Sequence, residues 1–105
     1  VVVLINENTA SASEILTGIL KDYNIAKVVG TKSYGKGVIQ EVLTLNDGSG
    51  IKITTNEYFT PNKTKINKIG IEPNETVALP ENIKNVLDID KKDDTQLQKA
   101  IEILK

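Results

Sequence analysis

Three runs follow one another within the first 30 residues and decide the fold: Val1-Val2-Val3-Leu4-Ile5, then Ser11-Ala12-Ser13-Glu14-Ile15-Leu16-Thr17-Gly18-Ile19-Leu20, then Ala26-Lys27-Val28-Val29-Gly30. The first is an unbroken apolar run of strand length, the pattern expected where both faces of a sheet are covered. In the second, Ile15, Leu16, Ile19 and Leu20 recur at helical spacing, so the chain from Ser11 to about Tyr23 reads as a helix. The third is another short buried strand, ending at Gly30. Strand, polar loop Asn6–Ala10, helix and strand in this order predict a right-handed parallel crossover, and with it an α/β fold.

Working outward, Thr31–Gly37 is a glycine-containing loop that leads into a strand over Val38–Leu45. Asn46-Asp47-Gly48-Ser49-Gly50 is a strong turn signal, and Ile51–Phe59 alternates as the returning strand of a β-hairpin. Thr60–Asn67 is polar, and Pro61 bars a regular helix or central strand there. Gly70-Ile71-Glu72-Pro73 predicts a stiff turn and Val77-Ala78-Leu79 a short strand. Pro80–Asp93 is charged and irregular, with room for one helical turn. Asp94 is placed to cap a final helix, Thr95–Leu104, whose apolar stripe is Leu97, Ala100, Ile101 and Leu104.

Composition removes several function classes. The 105 residues contain no His and no Cys, which excludes a serine–histidine pair, a cysteine nucleophile, disulfides and a zinc centre of His/Cys ligands within them. With 13 basic and 14 acidic residues the net charge is -1, so no strong field gathers nucleic acid. Aromatic content of 4% without Trp argues against base-stacking platforms. No apolar run approaches the roughly 20 residues of a membrane span. Met is absent even at position 1, and the chain opens directly on a core-like run, so the expectation is one domain at most, cut from a longer chain.

Two segments carry chemistry. Ser11-Ala12-Ser13-Glu14 has the S-x-x-E spacing of a capping box, in which Ser11 caps the helix and Glu14 reaches back. The same geometry suits a nucleophile, because free N–H groups and the dipole at a helix N-terminus stabilise a developing oxyanion. The Ala12 N–H would be one donor, and Ala10 and Ala12 keep the approach open. Ser13 competes for the role, and spacing alone does not choose. Lys36 stands between Gly35 and Gly37, which remove neighbouring side chains. It reads either as a solvated loop lysine or as a partly buried base whose desolvation favours the neutral amine. Gln40 is an exposed strand glutamine or, sharing a strand face with residues 36 and 38, an orienter of that amine.

These segments carry a family resemblance. Asn6–Ile15 is similar to the nucleophile segment of the carboxyl-terminal processing peptidases, or tail-specific proteases, of the S41 family, and Gly30–Gln40 resembles that family's lysine segment. Tyr58-Phe59-Thr60-Pro61, Gly70-Ile71-Glu72-Pro73 and Gln96-Leu97-Gln98-Lys99-Ala100 match its later run, so the resemblance covers almost the whole chain. It implies that Ser11 is the nucleophile, that Lys36, 25 residues onward, is the base, and that Gln40 orients it. The implied activity is a serine endopeptidase with a Ser–Lys dyad, cleaving protein or peptide substrates near their C-termini, with no cofactor, metal or nucleic acid. The implied place is the bacterial cell envelope or the extracellular space.

Residues 1–105 would be the C-terminal part of a ClpP/crotonase-like protease core. The upstream core, its glycine-rich loop with a second oxyanion donor, and a PDZ domain would all be missing. The fragment alone is then expected to be inactive and able to self-associate through exposed apolar surface. Thr9 stands where the family commonly has serine, and Asn74 where it usually has aspartate. The alternative is a non-catalytic ligand-binding or scaffold module, since a retinoid-binding relative uses this architecture.

Overall fold

The computed structural model describes residues 1–83 and 85–105. Strand β1 (Val2–Ile5), helix α1 (Ala12–Asp22) and strand β2 (Lys27–Gly30) form the expected crossover, with β1 and β2 parallel and Ile5 opposite Gly30. Strands β3 (Val38–Thr44) and β4 (Gly50–Glu57) make the expected antiparallel hairpin. Strand β5 (Glu75–Thr76) joins β2 in parallel, so the main sheet runs β1-β2-β5. A 3₁₀ turn (Val86–Asp88) supplies the one helical turn expected between Pro80 and Asp93, a stretch in which Lys84 lies outside the described residues. Helix α2 (Thr95–Leu104) closes the chain, its first turn capped by Asp94, which accepts the Leu97 N–H at 2.9 Å.

The centre of the sheet is as dry as the apolar pattern requires, but its edge is not. Val28 and Val29 in β2 are fully buried. In β1 only Ile5 is buried and Leu4 is 41% exposed, and among the described residues β1 has a strand neighbour on one side alone. Within the described residues the covered faces are seen for β2 and not for β1. Ile5, Val28, Ile66 and Ile71 form the core, with Val3, Ile15 and Tyr58 against it. Ile66 comes from the stretch read as polar, and burying such a side chain stabilises by about 1.5–3 kcal/mol, enough to draw the 60–71 loop onto the sheet.

Two expected faces are rotated. In α1 the buried residues are Glu14, Thr17 and Gly18, whereas Leu16 is 58% exposed and Ile19 is exposed. A buried carboxylate at position 14 fixes that orientation, and so does Gly18, where an added Cβ would lie 2.8 Å from Thr60 Cγ2. In α2 the buried residues are Gln96 and Ala100, while Ile101 and Leu104 face outward; the Gln96 amide donates to the Val77 carbonyl at 2.8 Å. The third strand is also displaced, lying before Val77-Ala78-Leu79. Asn74 sets its register by donating its N–H to the Val28 carbonyl (2.7 Å) and accepting the Val28 N–H on Oδ1 (2.8 Å). Val77 N–H then reaches the Gly30 carbonyl (2.8 Å), where β2 ends.

The hairpin projects from this body, and every residue from Gln40 to Glu57 is exposed. Its turn is held by Asp47, which accepts the Ser49 hydroxyl (2.5 Å) and the Ser49 N–H (3.0 Å). Those two bonds, the hydroxyl's first, hold the Asp47 carboxyl below the usual carboxylate range.

Candidate active site

The turn from β1 into α1 presents Ser11 in an unusual backbone state, φ 55° and ψ -121°. A residue with a Cβ occupies such a state only at a cost of order 1–3 kcal/mol, and only where its surroundings impose it. Sharp turns between a strand and a helix are where many hydrolases expose a nucleophilic serine. Here Glu14 imposes the geometry. Its carboxylate Oε2 accepts the Ser11 N–H at 2.9 Å, the return arm of the capping box. The Ser11 hydroxyl stands in the capping-box arrangement but makes no cap hydrogen bond, and the Glu14 N–H is donated to the Ser11 carbonyl at 2.9 Å. The half-buried serine side chain is thus left for other work. The Ala12 N–H has no intramolecular partner among the described residues, which suits an oxyanion donor at a helix N-terminus.

Glu14 reaches much further than a cap. It is fully buried, and its two oxygens accept four hydrogen bonds. Oε2 takes the Lys36 N–H at 2.9 Å together with that of Ser11. Oε1 takes the Gly35 N–H at 2.6 Å and the Ser33 hydroxyl at 2.5 Å. Because the Ser11 and Lys36 nitrogens share one oxygen, they lie within twice 2.9 Å of each other across 25 residues of sequence. The Tyr34 N–H donates to the Thr9 carbonyl at 2.9 Å and adds a second tie between the two loops. Thr9 does locally what a serine hydroxyl there could do, accepting the Asn6 N–H at 3.1 Å.

The lysine loop is pressed onto Glu14 by the 66–71 loop behind it. Gly35, at φ 92°, turns its N–H toward the carboxylate. At Gly37 an added Cβ would lie 2.5 Å from the Asn67 backbone nitrogen, so only glycine admits this approach. The Lys68 N–H donates to the Gly35 carbonyl at 2.8 Å.

Beyond this junction the side chains of Lys36 and Gln40 take the solvent-exposed alternative of the two that the sequence leaves open. Lys36 is exposed, not partly buried, because its loop is anchored through backbone N–H groups and leaves the amine outside. No hydrogen bond joins the Lys36 amine to Ser11 among the described residues. Gln40 is exposed on β3, its amide 3.4 Å from the Thr54 hydroxyl. That strand starts at Val38, two residues after Lys36, and its pairing shifts register between Ile39 and Gln40. Ser13 is exposed at the start of α1, and its carbonyl accepts the Thr17 hydroxyl at 2.7 Å. The sequence reading confined Glu14 to the cap and overlooked Ser33. The available signal was the run Ser33-Tyr34-Gly35-Lys36-Gly37, small and glycine-rich enough to offer several N–H groups to one acceptor.

A parallel crossover thus holds a strained serine and a glycine-flanked lysine on one carboxylate, and comparison with known proteins supplies the family. Residues 1–77 match peptidase family S41, so the chain belongs to that family. It is 46% identical over 103 residues to the carboxyl-terminal-processing protease of Synechocystis, covering 98% of this chain and 24% of that protein. It is 46% identical over 88 residues to the chloroplastic C-terminal processing peptidase of Tetradesmus obliquus, covering 81% of this chain and 19% of that protein. Among solved structures, the photosystem II D1 C-terminal processing protease superposes with a TM-score of 0.72 at 48% identity, over 75% of this chain and 21% of its own. The chain spans about a quarter of the length of these curated relatives at most. Among the described residues, no helix is long and apolar enough to cross a membrane.

Proposed function

We propose that this chain carries the nucleophile and base of a serine peptidase that processes proteins near their C-termini, with Ser11 and Lys36 acting as a dyad. The observation that carries the reading is the pair of N–H groups, of Ser11 and Lys36, on one Glu14 oxygen. It supports a dyad because it fixes the two backbones side by side while leaving both functional side chains uncommitted. In the reaction, Ser11 Oγ attacks the scissile carbonyl carbon and its proton passes to the neutral Lys36 amine. The tetrahedral oxyanion faces the Ala12 N–H. When the carbon–nitrogen bond breaks, the Lys36 ammonium returns the proton to the leaving amine. Water then attacks the acyl-serine, giving its proton to Lys36; the bond from the acyl carbon to Ser11 Oγ breaks, the Lys36 ammonium returns the proton to Oγ, and the carboxylic acid product leaves. Gln40 orients the amine in this scheme.

Residues 1–105 serve in the same reading as the dyad-bearing part of a ClpP/crotonase-like core. A second oxyanion donor and a PDZ surface that receives the substrate tail would be supplied from outside these residues. The 105 residues alone are then inactive, and exposed Leu43, Leu45, Ile51 and Ile53 favour their self-association. The intact protein would work in the bacterial envelope or outside the cell, which fractionation checks.

The test is turnover of an unstructured peptide with a free C-terminus by the intact protein. Ser11→Ala and Lys36→Ala are each expected to abolish most activity, and the double variant to be little worse than either, as for residues acting as one unit. Near-normal turnover in Lys36→Ala would sink the lysine-base mechanism.

A further inference from the structure

We infer that Ser33 is a positioning residue for this chemistry, its hydroxyl registering the lysine loop on the Glu14 carboxylate; the inference rests on the Ser11–Lys36 reading above. Ser33 is buried, 6% exposed, and its single hydroxyl links two groups that belong to different parts of the chain. It accepts the Ile71 N–H at 2.6 Å and donates to Glu14 Oε1 at 2.5 Å. The direction of the second bond is not optional. A backbone N–H can only donate, so the hydroxyl receives from Ile71 and its own proton is free for the carboxylate. Ser33 is tied to the same residue a second time, its N–H donating to the Ile71 carbonyl at 3.2 Å. The Gly70-Ile71-Glu72-Pro73 turn is thereby fixed to the start of the lysine loop.

The geometry makes this hydroxyl more than one bond among many. Glu14 Oε1 is shared by Ser33 and Gly35, and Oε2 by Ser11 and Lys36. Ser33 thus sets how the carboxylate plane is turned, and the orientation of that plane decides where the Lys36 backbone stands relative to Ser11. Removing the hydroxyl keeps the loop's sequence length and its glycines. It releases the turn behind the loop from the acceptor in front of it, and leaves the Ile71 N–H with no side-chain partner. A purely structural bond would give only a less stable protein with an unaltered site. A registering bond changes the chemistry of the molecules that remain folded.

The experiment is covalent labelling of the intact protein with an alkyl fluorophosphonate. Ser11 Oγ forms the bond to phosphorus, fluoride leaves, and the hydroxyl proton passes to Lys36. Inactivation rates are followed across pH, at a temperature where thermal unfolding shows each variant to be folded. In the wild type, labelling at Ser11 rises with pH along a limb that Lys36→Ala abolishes. Ser33→Ala is expected to label at least tenfold more slowly with that limb displaced, and Ser33→Thr, which restores the hydroxyl, to recover both. Where Ser33→Ala does not fold, Ser33→Cys, close in shape with a weaker donor, carries the same comparison. A folded Ser33→Ala that labels at the wild-type rate with the wild-type limb overturns the role given to Ser33 and leaves the dyad standing. Absence of labelling at Ser11 in the wild type overturns the dyad, and the positioning role with it.

Discussion

Replacing Glu14 with glutamine keeps the size and shape of the side chain while turning one of its two acceptor oxygens into a donor. The less damaging orientation leaves the carbonyl oxygen on the Ser11 and Lys36 N–H groups and points the amide NH₂ at Ser33 and Gly35. Ser33 can adapt, because its hydroxyl has a second lone pair. The Gly35 N–H cannot, and becomes a buried donor facing a donor, which costs about 1–3 kcal/mol. The two bonds that remain lose their charge assistance, roughly 1 kcal/mol each by the difference between neutral and charged acceptors. A neutral amide is less costly to bury than a carboxylate, so the expected net loss is about 2–3 kcal/mol. At a factor of ten per 1.4 kcal/mol, the Ser11 and Lys36 amides should exchange hydrogen about 30- to 150-fold faster in Glu14→Gln. Exchange within about twofold of the wild type at both amides would refute the claim that this carboxylate holds the two loops together.

Other perturbations read separate parts of the argument. Asn74→Ala removes the acceptor of the buried Val28 N–H and should destabilise the chain by about 1–3 kcal/mol in urea unfolding; Asn74→Asp, which keeps the oxygen, should not. Gly37→Ala drives a Cβ into the Asn67 backbone and should unseat the lysine loop, seen as lost protection of the Gly35 and Lys36 amides and lost turnover in the intact protein. The Asp47 carboxyl is held below its ordinary range, so it binds fewer protons folded than unfolded. Its contribution to the hairpin turn is present above the unfolded value and is lost as pH falls through the lowered folded one. The Ser49 amide should accordingly lose protection on acidification, and Asp47→Asn should flatten that pH dependence.

The elements that sequence made legible are those whose signal is local. Val1–Gly30 announces strand, helix and strand by apolar runs and spacing, and Asn46–Gly50 announces the hairpin by turn chemistry. The faces were not legible, because distant partners set them. Leu16 and Ile19 carry the apolar signal of α1, yet the helix turns Glu14 inward toward three N–H groups and a hydroxyl, two of those N–H groups and the hydroxyl lying 19 to 22 residues away. Likewise β5 falls on Glu75–Thr76 because Asn74 pairs with Val28 across 46 residues, which no alternation within Val77-Ala78-Leu79 reports. Family resemblance singles out Ser11 and Lys36 as candidates, and the structure adds the carboxylate that places their backbones together. Which of its two readings Lys36 takes was open for the same reason, since the loop is held by its backbone and not by its lysine side chain.

The backbone of Ser11 sets durability against chemistry at a single position. With φ at 55°, glycine would occupy that site with less strain, while alanine, which has the same Cβ, would gain nothing. No cap hydrogen bond of the hydroxyl would be forfeited, so the relief to a glycine variant is offset chiefly by the added freedom of its unfolded chain. On the role proposed for Ser11, a population of this protein selected for heat resistance alone would therefore drift toward losing its nucleophile. Screens for hardier variants need a selection for turnover running beside them, or they will enrich for inert survivors.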